Sequence, residues 1–166
     1  MSKIITAKTN MTADENNRTL LGKLQSALVD MNLVSGALTI GGTASKIKIA
    51  AAIKFVLDGI MYTKAISDNV TLAAKTVTNA KFNVCLISID KDGTVTSTWG
   101  TEGATIPTVV LPILPAANVA IGMIIINPTG TGNFIAATDS LGDSTIVPGA
   151  IYINIVGAYD NKVESL

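Results

Sequence analysis

Phe82–Ile89 restricts this chain more than any other stretch of it. The run reads Phe-Asn-Val-Cys-Leu-Ile-Ser-Ile and is apolar on both faces when extended, the mark of an internal strand covered from two sides. Asp90-Lys91-Asp92-Gly93 follows as a turn, and Thr94–Trp99 returns as the next strand. Thr94, Thr96 and Thr98 share one face of that return strand, and Val95, Ser97 and Trp99 the other. Further on, Pro112-Ile113-Leu114-Pro115 leads into the apolar run Val119–Ile126. This order of strands and turns predicts an antiparallel β module with an aliphatic interior.

The rest of the body follows the same two-residue period. Ile47, Ile49, Ala51, Ile53, Phe55 and Leu57 alternate, with Lys46, Lys48 and Lys54 on the opposite face. Asp58-Gly59 predicts a tight turn that returns Ile60–Ala65 as a strand. Asp68-Asn69 predicts another turn before Val70–Ala73. Thr108–Leu111, Val119–Ile126, Asn133–Ala137 and Ile151–Ala158 complete the series, with Pro128–Asn133 as a polar loop. About eight to ten short strands at this spacing imply a mainly β fold, an antiparallel β-sandwich or barrel-like body.

Ahead of that body the period is helical. Thr12-Ala13-Asp14-Glu15 has the Thr-x-x-Glu spacing of a capping box. Leu20, Leu24, Ala27, Leu28 and Met31 then recur at three- and four-residue steps, while Asn16, Arg18, Lys23, Gln25 and Asp30 lie off that stripe. The pattern predicts one α-helix over residues 13–32, stopping near Gly36, preceded by an extended arm over Met1–Met11. The division expected is an arm and helix over residues 1–36 and a β body over 37–166. The helix has two possible homes, its own β body or a bundle with neighbouring copies.

Composition excludes several function classes. Among 166 residues there is no His, one Arg (Arg18) and one Cys (Cys85), and the net charge is zero. The lysines are scattered and not interleaved with aromatics, so no phosphate-binding surface and no nucleic-acid partner is expected. Charged residues make up 14%, against roughly 25% in ordinary soluble domains. A surface so poor in charge implies apolar area buried against other chains, and a self-associating protein. Val109–Ile126 carries no charge, but Pro112, Pro115, Asn118 and Gly122 break any helix there, so no membrane span is expected. Met1-Ser2-Lys3-Ile4-Ile5 lacks the layout of a signal peptide, and synthesis in a reducing cytoplasm is expected. The Asn-x-Thr triplets at Asn10, Asn17 and Asn69 then imply no glycosylation.

Candidate chemistry is sparse. Cys85 lies inside an apolar run with no His to activate it and reads as a small buried hydrophobe. Asp90-x-Asp92-Gly93 begins like a calcium loop, but the twelfth position is Thr101 where that loop requires Glu. A hairpin turn accounts for these residues. Gly130-x-Gly132 is followed by no Gly-Lys-Thr/Ser, so it is no phosphate loop. Asp139 and Asp143, flanking Ser140-Leu141-Gly142, read as loop-solvating and capping residues. No catalytic residues, no metal ligands and no cofactor are expected.

Four elements carry a resemblance to a known class. They are Phe55-x-Leu57-x-Gly59-x-x-Tyr62-x-Lys64, Asp90-x-Asp92-Gly93-x-Val95, Pro112-x-Leu114-Pro115-x-x-x-Val119-x-Ile121-Gly122-x-Ile124-x-Ile126, and Phe134-x-x-x-Thr138-x-Ser140-Leu141. In this order and spacing they resemble a module of tailed-bacteriophage virion structural proteins, small capsid-associated cement or decoration proteins in particular. The match spans Phe55 to Leu141, about half the chain, and leaves the N-terminal segment out. The resemblance implies a non-enzymatic protein on the capsid surface of the virion, a homotrimer whose partner is the major capsid protein. The alternative is a head-fibre or tail adhesin that binds host glycans, for which Tyr62, Trp99, Tyr152 and Tyr159 are the aromatics on hand.

With Asp90 and Asp92 assigned to a turn, chelation should leave the melting temperature of the isolated protein nearly unchanged. A fall of many degrees on removing calcium would mean that the turn is a metal site.

Overall fold

The doubly apolar run becomes the centre of the largest sheet. In the computed structural model, which describes residues 30–159, it is β8 (Asn83–Asp90), paired antiparallel on one side with β9 (Val95–Trp99) and on the other with β10 (Asn118–Ile126). β12 (Ile151–Asn154) closes the order β12-β10-β8-β9. The other strands are β1 (Met31–Asn32), β2 (Leu38–Ile40), β3 (Lys46–Ile49), β4 (Ile53–Leu57), β5 (Ile60–Lys64), β6 (Ser67–Thr71), β7 (Thr76–Val77) and β11 (Phe134–Ile135). They form the sheets β1-β4-β5, β2-β3-β6 and β11-β7. The fold is mainly β and antiparallel throughout, and no sheet closes into a barrel. The helix among the described residues is a single 3-10 turn at Ile106–Thr108.

One core joins these sheets. Cys85, Ile87 and Ile89 of β8 and Val119, Ile121, Ile124 and Ile126 of β10 pack with Leu38, Ile47 and Ile49 from β2 and β3 and with Ile53, Phe55 and Leu57 from β4. Most of these side chains are fully buried, each worth about 1.5–3 kcal/mol relative to exposure. β10 carries a bulge between Ala120 and Gly122, which places Ile121 as the extra residue. Gly122 then lets Leu38 seat against the strand, since a Cβ there would stand 2.2 Å from the Leu38 Cδ1.

The two hairpins form where the sequence places them. Asp58 and Gly59 join β4 to β5 with φ of 52° and 74°, the pair of positive values that a type I′ turn requires. The Asp58 N–H donates to Asp30 Oδ1 at 2.7 Å. Across the hairpin, Phe55 stacks on Tyr62 with ring centroids 5.5 Å apart. At the second hairpin, Asp90 Oδ1 accepts the N–H groups of Asp92 at 2.9 Å and Thr94 at 2.8 Å, and Gly93 has φ +77°.

Four expectations need correction. The alternation from Ile47 to Leu57 is two strands of different sheets, because the chain turns at 50–52 while the same face keeps facing the core. Asp68-Asn69 is no turn; both residues lie within β6, where Lys48 pairs with Asp68 at 2.6 Å and the Asn69 amide oxygen accepts the Thr43 N–H. Thr108–Leu111 is no strand, but a 3-10 end followed by a single bridge, Thr101 to Val110. Met31–Asn32, expected as the end of the helix, is β1, paired with Val56 and Phe55 of β4. Asp30 before it is a bend, and the expected helix up to residue 29, its capping box and the arm lie outside the described residues.

Asn32 shows why that segment is extended. It is fully buried, its Nδ2 donates to Ile155 O at 2.6 Å, and its backbone exchanges hydrogen bonds with Gly157 at 3.2 and 2.7 Å. Asn32→Ala should therefore destabilise the fold by about 1–3 kcal/mol, the cost of orphaning a buried carbonyl. Denaturant titration checks this, and an unchanged midpoint would remove the tie from the account.

Candidate functional site

The polar groups singled out in the sequence are each engaged in local structure. Asp139 Oδ2 accepts the Ile135 N–H at 2.7 Å. Asp143 Oδ1 accepts both the Thr145 hydroxyl at 2.7 Å and the Thr145 N–H at 2.8 Å, which hold its carboxyl below the ordinary range. Both are turn and loop caps, as is Asp90. Among the described residues no three or more His, Cys, Asp or Glu side chains group so as to hold a metal ion, and no helix is long and apolar enough to cross a membrane.

Cys85 is fully buried in the core, and burial pushes its thiol up to about 12 against a hydrogen bond with Ser97 that pulls it down. A thiol held protonated is a poor nucleophile. The four aromatics considered for glycan stacking are committed within the chain. Tyr62 lies on Phe55, Trp99 Nε1 donates to Ala73 O at 2.8 Å, and Tyr159 OH donates to Pro112 O at 3.0 Å. Tyr152 packs against the core, and burial raises its hydroxyl to about 12.

What the chain does present is apolar surface without charge. Neither Gly103–Thr138 nor Ser144–Tyr159 contains a charged residue. These tracts supply β10, β12 and the β9–β10 connection, which crosses the outer face of β8. That crossing explains why Val84, Leu86 and Ser88 are buried although they point away from the core. At one end a Cβ on Gly100 would stand 2.3 Å from Val110 O and 3.2 Å from Pro112 Cδ. At the other, Asn118 Nδ2 donates to Ala116 O at 3.0 Å and its Oδ1 accepts from Ser88 Oγ at 3.3 Å. A small open groove of about 370 Å³ lies between the connection and the end of β9, lined by Trp99, Gly100, Leu111, Pro112 and Ile113 among others, none charged.

Beside the connection the same sheet face is open. The register places Ile151, Ile125 and Val84 in one row across β12, β10 and β8, and Ile153, Met123 and Leu86 in the next. The β8 ends of both rows are covered, whereas Ile151 and Ile153 are 53% and 37% exposed. A separate apolar surface sits on the β4–β5 hairpin. There Ile60 and Met61, with Ile66 just beyond, are all more than half exposed on β5, the edge of its sheet. Sequence reasoning inferred surplus apolar surface from low charge but named neither location, since exposure on one strand face depends on what its neighbours cover.

No family model, no curated protein and no solved structure matches this chain.

The buried thiol sets a pH dependence. Its unfolded value is near 9.0 and its folded value about 12, so above pH 9 the unfolded chain releases a proton that the folded chain retains. Stability should be flat below that point and fall between pH 9 and 12, by up to about 1.4 kcal/mol per pH unit for one proton. Tyr152, raised from 10.0 to about 12, adds to the fall at the upper end. Urea titrations across pH 8–11 should show Cys85→Ala with a shallower decline setting in later. An identical slope in that variant would assign the titration to another group.

Proposed function

We propose that this chain is a non-enzymatic structural protein of a tailed-phage particle, a capsid cement or decoration protein folded as a β-sandwich. In this reading β12-β10-β8-β9 forms one layer, and the sheets that share its core form the other. The observation that carries the reading is the apolar edge at Ile60, Met61 and Ile66, on a protein of zero net charge. An edge strand with exposed aliphatic side chains is a liability for a free monomer and an asset for a subunit that packs against copies of itself. The four-part sequence resemblance from Phe55 to Leu141 supplies the virion context. Engagement of Tyr62, Trp99 and Tyr159 within the chain supports this reading over a glycan-binding adhesin, which needs exposed rings for stacking.

The mechanism is mechanical. A homotrimer on the capsid surface contacts the major capsid protein at several points, and each contact gains from the high effective concentration set by the others. Burial at capsomer boundaries then resists the outward pressure of the packaged genome. Neither a cofactor nor a reaction is required.

Two measurements test the proposal. Light scattering should find a trimer at micromolar concentration, shifted to monomer by Met61→Asp together with Ile66→Asp; a monomeric unmodified chain would sink the self-association. Electron microscopy of purified particles should place the protein on the head surface. Density confined to a tail, or glycan-array binding by the isolated protein, would favour the adhesin instead.

A further inference from the structure

The chain holds two Asp-Gly pairs, Asp58-Gly59 and Asp92-Gly93, and no Asn-Gly. Each places an exposed aspartate in a hairpin turn, followed by a glycine with positive φ, 74° at Gly59 and 77° at Gly93. Such a pair can react within itself. Glycine has no Cβ to shield its nitrogen, which can close on the aspartate Cγ as a five-membered ring.

The two turns hold that nitrogen differently. At the second hairpin Asp90 ties three successive amides. Its Oδ1 accepts the N–H groups of Asp92 and Thr94, and its carbonyl accepts that of Gly93 at 3.1 Å. The Lys64 stem also lies over Gly93, since a Cβ there would stand 3.5 Å from Lys64 Cδ. At the first hairpin the Asp58 N–H is tied to Asp30 Oδ1, but the Gly59 N–H has no acceptor among the described residues. In a two-residue turn the ladder closes at the flanking pair, here Leu57 and Ile60, and leaves the second turn amide out.

We propose that Asp58 is a site of spontaneous isoaspartate formation, and that the fold protects Asp92 from the same reaction. The Gly59 nitrogen attacks Cγ of the protonated Asp58 carboxyl. The N–Cγ bond forms, the Cγ–OH bond breaks, and the hydroxyl leaves as water with the amide proton. The product is a succinimide, which water opens at either carbonyl. Opening at the side-chain carbonyl restores aspartate. Opening at the main-chain carbonyl leaves the backbone running through Cβ and Cγ. No oxidant or reductant takes part, and the composition of the chain is unchanged. The added backbone atom does not fit a two-residue turn, so the change displaces the Leu57–Ile60 pair and with it the start of β5. The inference stands independently of the virion reading.

Ageing of the full chain tests it, read by electron-transfer fragmentation of its peptides, which separates isoaspartate from aspartate. In the folded protein isoaspartate should accumulate at Asp58 at least about fivefold faster than at Asp92, the factor supplied by one backbone hydrogen bond that must first break. In the chain unfolded in guanidinium the two rates should converge. Asp58→Asn and Asp92→Asn turn the silent isomerisation into a deamidation that mass alone reads, and the same ratio should appear between them. Three results would overturn the proposal. They are equal or faster conversion at Asp92 in the folded protein by either readout, a bias toward Asp58 that persists in the unfolded chain, and no conversion at Asp58 over a period in which the unfolded chain converts.

Discussion

A strand buried on both faces has to be covered twice, and most of this architecture follows from how β8 meets that demand. On one side Cys85, Ile87 and Ile89 draw in β2, β3 and β4 to complete the core. On the other, Val84, Leu86 and Ser88 are sealed by the chain itself as it passes from β9 to β10. The sheet order makes that crossing obligatory, because β10 lies on the far side of β8 from β9. Pro112 and Pro115 suit the task. A backbone laid across a sheet face forms no ladder, and proline removes a donor that would otherwise need a partner there.

The cover is one connection wide, and this limit shapes the surface. It shields β8 but leaves the outer side chains of β10 and β12 open, in the tracts of sequence that carry no charge. A free monomer gains nothing from such faces, which favour association and cost solubility. Exposed aliphatic side chains thus gather at two places, Ile151 and Ile153 on β12 and the edge at Ile60, Met61 and Ile66.

Polar groups in this protein serve geometry. Asp58 and Asp90 shape the two hairpin turns, Asp139 and Asp143 cap loops, and Asn32 joins β1 to the segment after β12. The exposed Lys48–Asp68 pair adds little, since solvent-exposed ion pairs contribute about 0–1 kcal/mol. Stability rests on aliphatic burial and on backbone ladders, in keeping with a chain that has 48% hydrophobic and only 4% aromatic residues.

Local chemistry was legible in the residues alone. Asp58-Gly59 and Asp90–Gly93 dictate their hairpins because positive φ and side-chain-to-backbone bonding are properties of those residues themselves. The double-faced apolar run at Phe82–Ile89 likewise determined that an internal strand exists. Partnership was decided only in three dimensions. The period of two from Ile47 to Leu57 is the same whether it forms one strand or two, and only packing placed its halves in different sheets. Asp68-Asn69 looks like a turn by residue type, but pairing with β3 holds it extended. Met31 continues a helical stripe in sequence, yet burial of Asn32 against Ile155 and Gly157 makes it a strand. In each case a contact distant in sequence outweighs a local preference worth about 1 kcal/mol or less. The exposed outer face of β12 also belongs to the tertiary structure, because alternation marks a face as apolar without saying whether anything lies on it.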